Sequence, residues 1–263
     1  MAICAAALVF QTLQLLQLPF NLPLALLVFC ATLCSYNFHY LIAGSFISQR
    51  QFTEQLRKKK AAVFTMIAGA IGLLLLVKPS QVSITDLGIA VLLTLVYSIP
   101  LLPFKQVAFT RKAGFLKTLL LAFTWMFVTA YLPLSQHHLQ FTTGGLLIIT
   151  KRFLFVLMLC ILFDNRDVAV DEVYGLHSLA TDLKPKTMQW LITTVFALLF
   201  ILNFFLGRYG GVQKGAVTAL QVSAMITLVV YFFSRKKQGY FFYYFIVDGM
   251  MVLMTLLTTI ASI

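Results

Sequence analysis

Three aspartates, set close together in a chain that is nearly free of acid, mark where chemistry could occur. Of eight acidic residues, five fall between Asp164 and Asp182, and Asp164, Asp167 and Asp171 are spaced i, i+3, i+7. If the apolar run before them continues as a helix, that spacing puts all three carboxylates on one face. Like charges on one face repel, and a helix C-terminus already carries the negative end of the backbone dipole. A bound cation offsets both costs. Mg²⁺ suits the position, because it takes oxygen ligands, keeps several waters and shares one or two carboxylates with a substrate phosphate. The same residues read equally well as a solvated acidic loop with Arg166 as its internal partner.

The elements that must position these aspartates are membrane spans. The 263 residues are 60% hydrophobic and only 11% charged, whereas a soluble domain carries roughly a quarter charged residues. About 20 apolar residues cross a bilayer as helix. Apolar runs between polar breaks give nine such segments, at roughly 2–18, 21–44, 61–78, 85–103, 115–133, 144–163, 187–206, 215–233 and 240–262. The first is short, and the fourth runs into Pro100 and Pro103. No polar linker divides the chain, so residues 1–263 are expected to form a single all-α transmembrane bundle. The aspartates follow the sixth span directly.

The net charge of +12 would suggest nucleic acid in a soluble protein, but in a membrane protein basic residues gather in cytoplasmic loops. Fifteen of the twenty Lys and Arg lie behind even-numbered spans, including Arg50, Arg57, Lys105, Arg111, Lys117, Arg166 and Arg235. Only Lys78, Arg208 and Lys214 lie on the other side. This asymmetry places the N-terminus and the aspartate segment on the cytoplasmic side, in a bacterial inner membrane. Cys4, Cys30, Cys34 and Cys160 lie within apolar runs with no zinc spacing and read as small packing residues. Gly69 and Gly72, with Ala68 and Ala70, read as a small-residue face for close helix approach.

Phe163-Asp164-x-Arg166-Asp167-x-x-x-Asp171-x-x-x-Gly175-x-x-Ser178-Leu179 resembles the second aspartate-rich motif of the UbiA-type intramembrane prenyltransferases. Tyr97-Ser98-x-Pro100, followed by basic residues and then Gly114-x-Leu116-Lys117 with Trp125, is similar to the loop and fifth helix of the same superfamily. The resemblance implies nine helices with catalytic loops after helices 2 and 6. It also implies transfer of a prenyl group from a polyprenyl diphosphate to a small hydrophobic acceptor, aromatic or a quinone precursor. On that reading Asp164, Asp167 and Asp171 hold Mg²⁺ and are the catalytic residues. Asn37, Tyr97, Lys105, Arg111, Lys117 and Arg166 bind the diphosphate, and the apolar bundle holds the isoprenoid tail.

One part of the family pattern is absent. Active members carry Asn-Asp-x-x-Asp-x-x-x-Asp at the end of helix 2, and here Asn37 is followed by Phe38, Leu41 and Ser45 at the aspartate positions. Asn37 and His39 are then the available neutral ligands, although His39 alone reads as an interface residue. A scaffold that has lost transfer and binds a lipid or a partner is the alternative. A solute transporter is a third reading, motivated by Lys151 and Arg152 inside span 6 and Asp248 inside span 9. No internal repeat or paired broken helices accompany it. The economical expectation for those charges is a pair between Asp248 and Lys151 or Arg152 across the bundle.

Overall fold

The computed structural model describes residues 1–43, 52–98, 114–174, 179–236 and 238–262, and every regular element among them is helical. In order these are α1 (Ala2–Leu15), α2 (Leu22–Ala43), α3 (Phe52–Ser80), α4 (Ile84–Ser98) and α5 (Gly114–Met126). A π-helical turn (Phe127–Tyr131) leads from α5 into α6 (Leu132–Ser135). Then come α7 (Thr143–Tyr174), α8 (Leu179–Asp182), α9 (Pro185–Tyr209) and α10 (Lys214–Ser234). A second π-helical turn (Phe242–Val247) opens α11 (Asp248–Ile260). Helices are the expected form, because hydrocarbon offers backbone amides no partner outside their own segment.

Each apolar run of the sequence coincides with one of these helices or helix stacks. Among the described residues seven are long and apolar enough to cross a membrane, whereas Ala2–Leu15 and Ile84–Tyr97 are shorter. The short ones are the first run and the fourth, whose residues 99–103, with Pro100 and Pro103, lie outside the described residues. The third run begins earlier than its apolar part, at Phe52, since a helix needs no change of geometry to pass from a basic segment into lipid. The sixth continues past the membrane-length part, Thr143–Arg166, to Tyr174 without interruption.

Contacts between helix ends fix their relative direction. Asn21 accepts from the Leu24 amide at the start of α2 and donates to Ser80 O and Gln136 Oε1, at the ends of α3 and α6. Ser135 donates to Asp86 at the start of α4 (2.8 Å). At this same end α1 and α3 finish with Gln17 and Gln81 in the left-handed conformation, at φ 54° and 58°. That conformation lets the Leu18 amide reach back to Leu13 O. Helices α2, α4, α7 and α10 therefore all finish at the opposite end, beside Lys59, Lys60, Arg166, Arg235 and Lys236. We refer to it as the basic end.

Helix α2 packs closely on α3. A Cβ on Gly69 would stand 2.7 Å from Cys34 Sγ and 3.2 Å from the Cys30 carbonyl, and one on Gly72 2.7 Å from Cys30 Sγ. Ala68 and Ala70 face outward instead, so only part of the small-residue stretch serves the approach. Gly69→Leu is expected to destabilise the bundle by about 1–3 kcal/mol through overpacking. Ala70→Leu, on the exposed side of the same turn, should leave the thermal midpoint in detergent unchanged.

Candidate functional site at the basic end

Continuous helix from Thr143 to Tyr174 places Asp164, Asp167 and Asp171 on one face of α7, as their spacing requires. Asp164 Oδ2 accepts a hydrogen bond from Thr118 Oγ1 at 2.8 Å. Thr118 lies on α5 and is almost fully buried, so the bond locks one carboxylate against the neighbouring helix. The side chains of Asp167 and Asp171 lie outside the described residues, as do Lys105 and Arg111.

Arg166 is held in an aromatic cage. Its guanidinium carbon stands 5.1 Å from the Phe163 ring, 5.6 Å from Tyr243 and 5.2 Å from Tyr244. Phe163 is one helical turn before Arg166, whereas the two tyrosines come from the π-helical turn before α11. That turn inserts an extra residue and sets Tyr243 and Tyr244 at an angle a regular helix would not give. Aromatic faces attract a guanidinium and leave its N–H edges able to meet an anion.

Across the bundle, His39 on α2 packs edge-on against Tyr97 on α4, with ring centroids 5.4 Å apart, and lies within electrostatic reach of Lys117 on α5. His39, read from sequence as an interface residue, thus lies near the end of α2 on the side turned toward Tyr97. Asn37 occupies a different side of α2. Its amide donates to Leu33 O (2.7 Å), and it lines a recess of about 330 Å³ with Tyr40, Ala61, Ala62 and Thr65. Asn37 is therefore not among the groups that face Tyr97.

Tyr36, which sequence reasoning passed over, is 40% exposed, and its hydroxyl is within electrostatic reach of Tyr97 on α4, Asp248 on α11, Cys160 on α7 and Cys4 on α1. It therefore lies on the side of α2 turned toward those helices.

The expected pairing of Asp248 with Lys151 or Arg152 does not form. Arg152 Nη2 instead donates to Leu8 O (3.1 Å), Gln11 Oε1 (2.9 Å) and Thr12 Oγ1 (3.0 Å) on α1. Asp248 is level with an earlier turn of α1, where Cys4 Sγ donates to its carbonyl. Four to eight residues of α1 separate the two levels, about 6–12 Å along the axis, too far for an ion pair. Among the described residues, Asp248 Oδ1 and Lys151 Nζ have no hydrogen-bond partner, and the two residues are 5% and 1% exposed.

The donors on α7 suit a divalent cation by chemistry: carboxylates on one face at successive turns, with Asp164 oriented by Thr118. Among the described residues no three His, Cys, Asp or Glu side chains converge on a point, so any such ion depends on Asp167 and Asp171.

No family model matches the chain and no curated protein matches it. A solved structure does. The apo structure of a UbiA homolog from Aeropyrum pernix K1 has the same architecture, with a TM-score of 0.67 over 99% of this chain and 96% of that one, at 15% sequence identity. This chain has the UbiA-type fold, an all-helical membrane bundle.

Proposed function

We propose that this protein is an intramembrane prenyltransferase, moving a prenyl group from a polyprenyl diphosphate to a small hydrophobic acceptor, aromatic or a quinone precursor. The observation that carries the reading is a shared location. Tyr97, Lys117, Asp164 and Arg166, named from sequence, all lie toward the basic end, on α4, α5 and α7, in a chain with the fold of a UbiA homolog. All nine apolar segments cross the bilayer on this reading, the N-terminus is cytoplasmic, and the site opens to the cytoplasmic face.

Asp164, Asp167 and Asp171 are the residues that would hold Mg²⁺. Held there, such an ion would supply positive charge to offset that developing on a departing diphosphate. Lys117 and Arg166, with Lys105 and Arg111 from the sequence between α4 and α5, supply further positive charge for the same anion. The apolar walls keep water from the allylic cation, and the Tyr36 and Tyr97 rings offer it π faces.

The test is calorimetric binding of geranylgeranyl diphosphate to the purified protein with and without Mg²⁺. Binding is expected only with Mg²⁺, and Asp167→Asn and Asp171→Asn should each abolish it. Equal binding by both variants would sink the reading.

A further inference from the structure

At the end of the bundle opposite the basic one, α1, α10 and α11 form a cavity of about 320 Å³, within the roughly 300–1,000 Å³ usual for small-ligand sites. It lies beside the last turn of α1, a helix of 14 residues. Such a helix is about 21 Å long, short of a bilayer core of about 30 Å. On the far side the first turn of α10 closes on the last turn of α11 at Gly215, where a Cβ would collide with Ala261 O. The membrane-length part of α10 begins at Lys214 and that of α11 ends at Ile260. Gln213 and Ser262 line the cavity just outside those limits, and Phe10, Leu13 and Ala216 line its apolar side. The cavity therefore straddles the boundary between lipid and water.

Its polar wall is uncharged and offers both donors and acceptors. Gln14 Oε1 accepts from Thr259 Oγ1 (3.0 Å), which leaves the N–H groups of that amide available. Thr259 also donates to Thr255 O (2.8 Å) and Ser262 to Thr258 O (2.7 Å), so both hydroxyls present lone pairs. Gln17 and Gln213 add two further amides, and Gln213 makes no side-chain cap bond to α10. Phe10 and Phe20, also in the lining, meet edge to face at 5.3 Å and supply an aromatic surface. A phosphate or a quinone carbonyl only accepts and an ammonium only donates, so each would leave part of this wall unmet. A charged group would also find no counterion among the lining residues. Hydroxyl groups both donate and accept. We propose that this cavity binds a membrane lipid with an uncharged, polyhydroxyl headgroup such as a single sugar. The ring packs against Phe10 and Phe20, and the acyl chains leave over the apolar side. The site stands at the other end of the bundle from the α7 carboxylates and requires no prenyl transfer.

The experiment uses the full-length protein in lauryldimethylamine oxide, a detergent without hydroxyl groups, and counts bound monoglucosyl diacylglycerol by native mass spectrometry. A single molecule should bind per chain, and phosphatidylcholine with the same acyl chains should bind about tenfold more weakly or worse. Gln14→Leu and Gln213→Leu should each weaken the glycolipid by about tenfold, the size of one hydrogen bond lost. Neither should change the binding of phosphatidylcholine. Gln213 is exposed at the head of α10, so its substitution tests the wall even where loss of the Thr259 partner in Gln14→Leu disturbs packing. Equal binding of the two lipids, or glycolipid binding that Gln213→Leu leaves unchanged, overturns the assignment. So does displacement of the glycolipid by an equal concentration of methyl glucoside, because the acyl chains would then contribute nothing.

Discussion

Asp164→Asn is expected to slow release of diphosphate from bound geranylgeranyl diphosphate by about 10²–10³-fold, the range seen when one charge-stabilising group is removed from an active site. The substitution keeps the hydrogen bond to Thr118 possible, since an amide oxygen also accepts, so what it removes is charge. Thr118→Val does the reverse. It leaves the carboxylate charged but unlocked from α5, because the hydroxyl 2.8 Å away is the group that orients Oδ2. Partners that orient an ion's ligands typically contribute 10–100-fold in affinity or activity. Thr118→Val should accordingly raise the Mg²⁺ concentration for half-maximal release by about that factor, and Thr118→Ser should restore it. An unchanged Mg²⁺ requirement in Thr118→Val would mean that Asp164 does not serve the ion.

The second large effect concerns two adjacent cations with opposite fates. Arg152→Ala is expected to lower stability by about 3 kcal/mol, through the cavity left by a fully buried side chain and the loss of partners for Gln11 and Thr12. The guanidinium bonds through Nη2, while its Nε and Nη1 have no partner among the described residues, and that one nitrogen has a wide reach. Thr12, which it contacts, also donates to Thr129 O at 2.7 Å, within the π-helical turn that follows α5. Gln11 in turn donates to Thr258 on α11 (3.2 Å). One side chain thus ties α7 through α1 to two further helices. Lys151→Met is expected to raise stability by about 1–4 kcal/mol, because it exchanges an amine without a partner for an apolar side chain of similar length. Thermal unfolding in detergent measures both. Shifts of the same sign in the two variants would contradict the distinction drawn between them.

The helices were legible because a bilayer imposes a single length rule on an apolar run, and the hydrogen-bonding rule leaves helix as the only outcome. The α7 carboxylate face was legible for the same reason: i, i+3, i+7 is a local property of one helix. The cage around Arg166 was half legible. Phe163 is a turn away in sequence, but Tyr243 and Tyr244 reach it from some eighty residues on, through a π-helical turn that no periodicity announces. The partner of Arg152 was misread because pairing was inferred from charge alone. Opposite charges in one membrane attract in a sequence argument, but their depths are set by helix ends, and α1 was nearer. Neutral acceptors in an apolar segment, Gln11 and Thr12, were the overlooked signal. Tyr36 was passed over because an aromatic residue in a span reads as a lipid contact unless its inward direction is known.

The unbroken course of α7 places its acids with respect to two solvents. The membrane-length part of the helix ends at Arg166, so Asp167 and Asp171 stand one and five residues beyond it, about 1.5 and 7.5 Å further along the axis. Asp248, by contrast, lies within the apolar layer. On the prenyl-transfer reading, an ion or a phosphate at the first two would exchange with water without passing hydrocarbon, while an isoprenoid tail below them would exchange with lipid without meeting water. The two halves of an amphiphilic substrate, once severed, would therefore part by solubility, one dissolving in each phase. Such a partition would make recombination slow without any moving part, and the phase boundary itself would act as the valve.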